Sequence, residues 1–230
     1  MVRPPVDHLY LQQGCNHHGT RRAQENPKHR VDEQFLLLKQ IAKQPFLHIS
    51  QRAKTLGWSA DKMLNFIQKL ESAGLIWRVD VRLGEKGRPA QLLELSAKAL
   101  ELLKAQGVAP KPLHGGLLHA FWIDRLSQTY RKAGYAVEDN TLLSETYQPD
   151  LVCLKGKEQL IVEVVVSPQN IEHLRRQIEE ALVHGFKVIV ATYPKELAEA
   201  LANKLSEFEN ILVVGAPELW RSVQLLNSDV

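Results

Sequence analysis

The sequence predicts an α+β protein of two domains, a mostly helical unit with one β-hairpin and then an α/β unit with a mixed central sheet. Residues 32–106 combine apolar residues at helical spacing with two short alternating runs. Gly107, Pro110 and Pro112 then oppose any continuation of a helix, which predicts a linker at 107–113. Beyond the linker, apolar runs alternate with helical segments, and this alternation is typical of an α/β sheet.

The composition is that of an ordinary globular chain. Its 230 residues are 44% hydrophobic and allow one large domain or two small ones. No apolar run approaches the roughly 18 residues of a membrane helix, and the first residues lack the apolar core of a secretory signal. Cys15 and Cys153 are too few for a disulfide framework. We therefore expect a cytoplasmic protein that does not contact a membrane.

The net charge of +3 hides an asymmetry between the two halves of the chain. Residues 1–113 hold 18 Lys or Arg and 10 Asp or Glu, whereas residues 114–230 hold 11 and 16. The first half therefore carries +8 and the second −5. This division suggests a polyanion-binding module beside a domain that concentrates carboxylates, and unequal solvated surfaces are the alternative.

Residues 1–31 are predicted to form an irregular arm or a short hairpin. They are polar, contain proline and are rich in histidine and basic residues. Cys15, His17 and His18 are of metal-ligating types, but their spacing fits no usual zinc pattern. We interpret them as part of a solvated loop.

Residues 32–106 carry the local signals of three helices, a hairpin and a fourth helix. Serines precede three of the helical segments and can cap them, and Gly74 ends the third. The predicted elements are a helix from Asp32, helices at 51–55, 60–72 and 97–106 capped by Ser50, Ser59 and Ser96, strands at 75–81 and 91–95, and a turn at 84–88.

This order of elements resembles the winged-helix family of DNA-binding domains over residues 32–106. The segment LESAGLI at 70–76 matches the usual end of a recognition helix and the start of the wing. The segment LSAKA at 95–99 matches the usual entry to the last helix, with Ala99 where a glycine is common. The resemblance implies that the third helix and the wing hold double-stranded DNA.

The surface residues of the third helix and the turn also favour DNA contact, independently of the resemblance. The third helix fits a major groove, and its outward positions are polar, while the turn offers cations suited to phosphate or minor-groove contact. Asp61 and Glu71 dilute the positive charge of the helix, so a domain that binds protein instead is an open alternative. The predicted DNA contacts are Lys62, Asn65, Gln68, Lys69, Lys86 and Arg88.

The second half contains one conspicuous residue, Glu163, inside the apolar run at 160–166. A buried carboxylate is costly unless it is paired, hydrogen-bonded or bound to a metal, and a glutamate that reaches solvent from a strand edge is the alternative. The predicted elements are helices at 116–133, 170–184, 195–208 and 217–225, strands at 135–138, 187–192 and 211–214, and a hairpin that turns at 155–157.

With Pro149-Asp150 entering one hairpin strand and Glu163 in the next, residues 115–215 resemble the PD-(D/E)xK nuclease superfamily, which has the restriction-endonuclease-like fold. The resemblance implies that Asp150 and Glu163 are catalytic carboxylates that bind Mg²⁺ or Mn²⁺. It also implies an accessory acid, for which Glu138 and Glu145 are the candidates. The family lysine belongs two residues after the glutamate, where this chain has Val165.

The valine at that position leaves two hypotheses open. In the first, the chain is a DNA-binding protein with a degenerate nuclease-like domain, and similarity to replication-relaxation proteins implies a role in mobile-element or plasmid DNA processing. In the second, Arg175 or Arg176 on the following helix replaces the lysine in an active Mg²⁺-dependent DNA endonuclease. A transcription regulator whose C-terminal domain binds a ligand or a protein is a third hypothesis. The partners expected are double-stranded DNA, a second copy of the chain and a protein of a DNA-processing complex.

Overall fold

The computed structural model describes residues 27–83, 88–139, 141–167 and 171–225, with side chains from residue 33 to residue 223. Within these ranges the chain is α+β, with eight helices, a two-stranded sheet and a mixed five-stranded sheet. The predicted α+β class and the mixed sheet are confirmed at this level. Four residues named above lie outside the described ranges, namely Cys15, His17, His18 and Lys86.

The first half follows the predicted order of elements. Ser59 caps the third helix as expected, since its hydroxyl accepts the backbone N–H of Lys62 at 3.2 Å. The predicted cap of the second helix was wrong, because the helix begins one residue before Ser50 and its N-cap is His48. The elements are α1 Pro27–Lys43, α2 Ile49–Leu56, α3 Ala60–Ser72, β1 Ile76–Val81, β2 Ala90–Leu95 and α4 Ala97–Ala105.

The core of the first half forms where α3 packs against α1, α4 and the hairpin. Four residues of α3 repeat at helical spacing and are buried, so one face of the helix points inward and the opposite face is left for solvent. The buried residues of α3 are Met63, Phe66, Ile67 and Leu70.

The second half is built on the sheet order β3-β4-β5-β6-β7. The first three strands are antiparallel neighbours, and the last three are parallel neighbours joined through helices. The helix predicted at 195–208 is shorter than expected. The elements are α5 Gly116–Lys132, β3 Ala136–Glu138, β4 Leu151–Lys155, β5 Glu158–Val165, α6 Ile171–Val183, β6 Lys187–Thr192, α7 Leu197–Lys204, β7 Ile211–Gly215 and α8 Ala216–Leu225.

Helices cover both faces of this sheet. Val162 and Val164 of β5 belong to the apolar cluster that contains α5 and α8 residues. Ile161 and Val165 belong to the cluster that contains α6 and α7 residues. Because side chains alternate along a strand, Glu163 lies on the same face as Ile161 and Val165.

The two halves share apolar contacts across the predicted boundary. Val81 and Leu92 of the hairpin belong to the same cluster as α5, and the rings of Phe46 and Phe121 have centroids 6.1 Å apart. A hydrogen bond of 2.9 Å also joins the backbone N–H of Arg82 to the Tyr193 hydroxyl. The boundary at 107–113 stays a prediction, and a fragment experiment below tests it.

Candidate active site and nucleic-acid interface

Asp150 and Glu163 lie at neighbouring positions of the β4–β5 hairpin. The register pairs Leu151 with Val162, so the next position along brings Asp150 opposite Glu163. The Asp150 Oδ2 atom accepts the backbone N–H of Val164 at 2.7 Å, which ties the aspartate to β5. The hairpin therefore brings together the two acids that the resemblance singled out.

Glu163 is buried, with 5% of its surface exposed, and is hydrogen-bonded. Its Oε1 atom accepts the Tyr147 hydroxyl at 2.6 Å. Burial, followed by the negative charge of Asp150, raises the pKa of Glu163 from its ordinary 4.5 to about 8, although the Tyr147 bond acts in the opposite direction. The carboxyl group therefore holds its proton to a higher pH than a solvent-exposed glutamate does.

His119 of α5 is a third side chain of this site, and sequence reasoning missed it. Its Nε2 atom lies 3.0 Å from Asp150 Oδ2, and its Nδ1 atom lies 3.1 Å from the His114 carbonyl oxygen. Burial lowers the pKa of His119, but the hydrogen bond and charge of Asp150 outweigh burial, and the net shift is upward. Since both ring nitrogens face acceptors, the protonated ring satisfies both.

A glycine makes room for the His119 ring. Gly115 has φ of 72°, and a Cβ atom built on it would lie 2.4 Å from His119 Nδ1. The His119 ring therefore occupies the space that the Cβ atom of any other residue at position 115 would need. The pair Gly115-Gly116 at the start of α5 is the one sequence signal that points to this arrangement.

The two candidate accessory acids do not join the site. Glu138 is exposed, and its Oε2 atom accepts the Thr141 hydroxyl at 2.9 Å. Glu145 is exposed in the loop before β4. In the described ranges, no hydrogen bond or ion pair links either acid to Asp150 or Glu163. Nor do those ranges contain a group of three or more His, Cys, Asp or Glu side chains that could hold a metal ion.

The position of the family lysine is apolar in structure as well as in sequence. Val165 is partly buried and packs in the cluster that contains α6 residues. The arginines of α6 make contacts elsewhere. Arg175 pairs with Glu207 at 3.0 Å, and the Arg176 Nε atom donates to the Glu172 carbonyl. These contacts give no support to either arginine as a replacement for the lysine.

A cavity of about 370 Å³ opens beside Asp150 and is lined by both halves of the chain. Lys111 lies in it, with its Nζ atom 4.5 Å from the Phe46 ring centre and 3.9 Å from Asp124 Oδ1. Burial raises the pKa of Asp124, while Lys111 and two arginines act in the opposite direction. The cavity thus places cations and carboxyl groups next to each other.

The predicted DNA contacts on α3 differ in their surroundings. Asn65, Gln68 and Lys69 are exposed on the outward face. Lys62 forms an ion pair with Glu33 of α1, so it is partly engaged within the protein. Arg88 is exposed at the start of the segment that leads into β2.

Comparison with known proteins gives no family for this chain. No family model matches the sequence, and no curated protein matches it. In the part of the chain that the structure describes, no helix has the length and apolar character needed to cross a membrane.

Proposed function

We propose that this chain is a DNA-binding protein in which the first half binds duplex DNA and the nuclease-like second half lacks a working catalytic centre. The observation that carries the proposal is the exposed row formed by Asn65, Gln68 and Lys69 on α3. Amide side chains recognise base edges, and lysine neutralises phosphate. A role in processing mobile-element or plasmid DNA is part of the proposal.

The charge distribution supports the assignment of DNA to the first half. Residues 1–113 carry +8, whereas residues 114–230 carry −5. Cations that neutralise phosphates release counterions, and this term supplies most of non-specific affinity for DNA. Duplex DNA is therefore expected to bind the first half and to do so more weakly as salt rises.

Three features of the carboxyl pair support binding rather than hydrolysis. Burial and the charge of Asp150 raise the pKa of Glu163 and so oppose a doubly charged pair, and Asp150 is already hydrogen-bonded to His119 and to the backbone N–H of Val164. Val165 offers no cation to position a water. Asp150 and Glu163 are the residues that would hold Mg²⁺ or Mn²⁺, which would supply Lewis-acid stabilisation of a phosphodiester. As arranged, they do not fit a catalytic metal centre.

One observation favours the second candidate, an active Mg²⁺-dependent endonuclease. The carboxyl groups of Asp150 and Glu163 lie at neighbouring positions of the hairpin, Asp150 lines a cavity, and the pKa of Glu163 is strongly raised. Buried acids with perturbed pKa values are enriched at catalytic sites. A metal ion that displaces the proton of Glu163 would restore a doubly charged pair.

DNA binding and cleavage can be measured on one set of substrates. The full chain is incubated with supercoiled, linear, single-stranded and branched DNA, with Mg²⁺ or Mn²⁺, beside Asp150→Ala. We expect binding to duplex DNA and no cleavage above that of the variant. Cleavage by the wild-type protein alone would replace the first proposal with the second. No binding to any duplex at low salt would refute the DNA-binding function.

A further inference from the structure

A second cavity, of about 390 Å³, lies between the end of β1, the loop after β6 and the start of α8. Three basic side chains from these three segments line it, namely Arg82, Lys195 and Arg221. The segments are far apart in sequence, so the fold is what gathers the cations. This cluster, which we call the basic cluster, is separate from the cavity beside Asp150.

The walls of the basic cluster are held by specific contacts. The Tyr193 hydroxyl accepts the backbone N–H of Arg82 at 2.9 Å, which attaches the hairpin to the loop after β6. Arg221 donates from Nε to the Pro217 carbonyl at 3.2 Å, and its Nη2 atom lies 3.7 Å from Glu218 Oε1. These contacts orient the Arg221 guanidinium at the cavity wall.

The charge of the cavity is suited to an anion. Its three cations face two carboxylates, Glu196 and Glu218. The Glu218 Oε1 atom pairs with Arg221 at 3.7 Å, whereas its Oε2 atom is buried without a hydrogen-bond partner and lies close over Gly215. The balance favours a singly charged group such as a phosphodiester.

The location of the basic cluster relates it to the DNA surface proposed above. Arg82 is six residues before Arg88 on the same hairpin. Lys195 follows the end of β6, and β6 runs parallel to β5 with Val165 paired to Thr192. The basic cluster therefore lies at the carboxyl ends of the parallel strands, which is the end of the sheet that β5 reaches after Glu163.

We propose that Arg82, Lys195 and Arg221 bind the phosphodiester backbone of the DNA that α3 and the hairpin hold. The duplex then extends from the first half onto the carboxyl edge of the parallel strands in the second half. This inference depends on the proposed DNA-binding function and adds a contact surface in the acidic half of the chain.

The salt dependence of DNA affinity tests the basic cluster. Binding of the full chain to a duplex of mixed sequence is measured by fluorescence anisotropy over a series of KCl concentrations. Lys195→Ala/Arg221→Ala is expected to lower the slope of log K against log salt by roughly two units. Arg82→Ala should lower it by about one unit, since each phosphate contact contributes about one.

A matched double variant controls for the loss of net charge. Lys187 is exposed at the opposite end of β6 from Lys195, and Arg175, like Arg221, is paired with a glutamate. Lys187→Ala/Arg175→Ala should leave the slope as in the wild type. Thermal melts of both double variants confirm that each is folded.

The outcomes separate the two proposals. If the wild type binds DNA and both double variants have the same salt slope as the wild type, the basic cluster is refuted but the DNA-binding function is not. No wild-type binding to duplex DNA would refute both the cluster and the proposed function. A thermal shift with inorganic phosphate that Lys195→Ala/Arg221→Ala abolishes, without a change in the DNA slope, would assign the cavity to a free phosphate and overturn the DNA contact.

Discussion

His119 Nε2 lies 3.0 Å from Asp150 Oδ2, and this polar contact links α5 to the residue that enters the β4–β5 hairpin. The two side chains are 16% and 19% exposed, so solvent screens the pair less than it screens a surface ion pair. The same Asp150 oxygen accepts the N–H of Val164. The orientation of the aspartate is therefore set by a helix on one side and a strand on the other.

Gly115→Ala is expected to destabilise the protein by displacing the His119 ring. Gly107→Ala is the matched control, because its φ of 70° is close to the 72° of Gly115 but its added Cβ would meet nothing within 4 Å. Both changes put a Cβ atom on a residue with left-handed backbone angles, which costs about 1–2 kcal/mol. The overlap with His119 adds roughly 1–3 kcal/mol at Gly115 alone. Equal melting temperatures for the two variants would show that the ring moves at no cost.

Glu163→Gln should change how stability depends on pH. The folded pKa of Glu163 is raised, so its stabilising contribution is fully present below about 4.5 and is lost as pH rises through about 8. Relative to Glu163→Gln, which keeps an acceptor for Tyr147, the wild type should lose on the order of a few kcal/mol over this window. Denaturant unfolding of both proteins at five pH values measures the difference. A difference that stays constant with pH would contradict the raised pKa.

Millimolar Mg²⁺ or Mn²⁺ should leave the melting temperature of the wild-type protein unchanged. Binding at the pair would require Glu163 to release its proton, whose retention is favoured by burial and by the charge of Asp150. The measurement is sensitive, since a site occupied at about 100 times its Kd adds about 2.7 kcal/mol of stability. A rise seen in the wild type but absent from Asp150→Ala and Glu163→Gln would favour the active endonuclease.

Substitutions on α3 and on the predicted turn at 84–88 should separate recognition of bases from contact with phosphate. Lys86→Ala/Arg88→Ala is expected to weaken binding to all duplexes alike and to lower the salt slope by roughly one to two units. Asn65→Ala or Gln68→Ala should instead change the preference among sequences. Anisotropy titrations on several duplexes distinguish these effects. Unchanged affinity in the folded Lys86/Arg88 variant would remove the turn from the interface.

The fragment 114–230 should fold by itself and melt cooperatively, but below the full chain. It exceeds the roughly 60 residues at which a core becomes adequate. It loses the apolar contacts that Val81 and Leu92 make with the cluster containing α5. Thermal unfolding followed by circular dichroism compares the fragment with the full chain. An unfolded fragment would mean that the halves form one folding unit and that the boundary at 107–113 is wrong.

The sequence alone predicted the elements whose signals are local. The bounds of α3 agree with the prediction, because Ser59 caps its start and the buried positions repeat at helical spacing within 13 residues. It also singled out Glu163, since a charged residue in an apolar strand is visible without a structure, whereas Asp150 was named through the family resemblance. The local signal failed at the start of α2, which begins one residue earlier than predicted, so that His48 rather than Ser50 is the N-cap.

Only the tertiary structure decided what surrounds the two acids. His119 is 31 residues from Asp150, and Tyr147 reaches Glu163 across the hairpin. The sequence shows His119 as one polar residue at the start of an amphipathic helix, with no pattern that predicts its partner. Its role depends on how α5 packs on the sheet, and the burial that raises the pKa of Glu163 depends on helices covering both faces. Periodicity specifies which residues point inward along one element, but the packing of elements distant in sequence determines which inward residues meet.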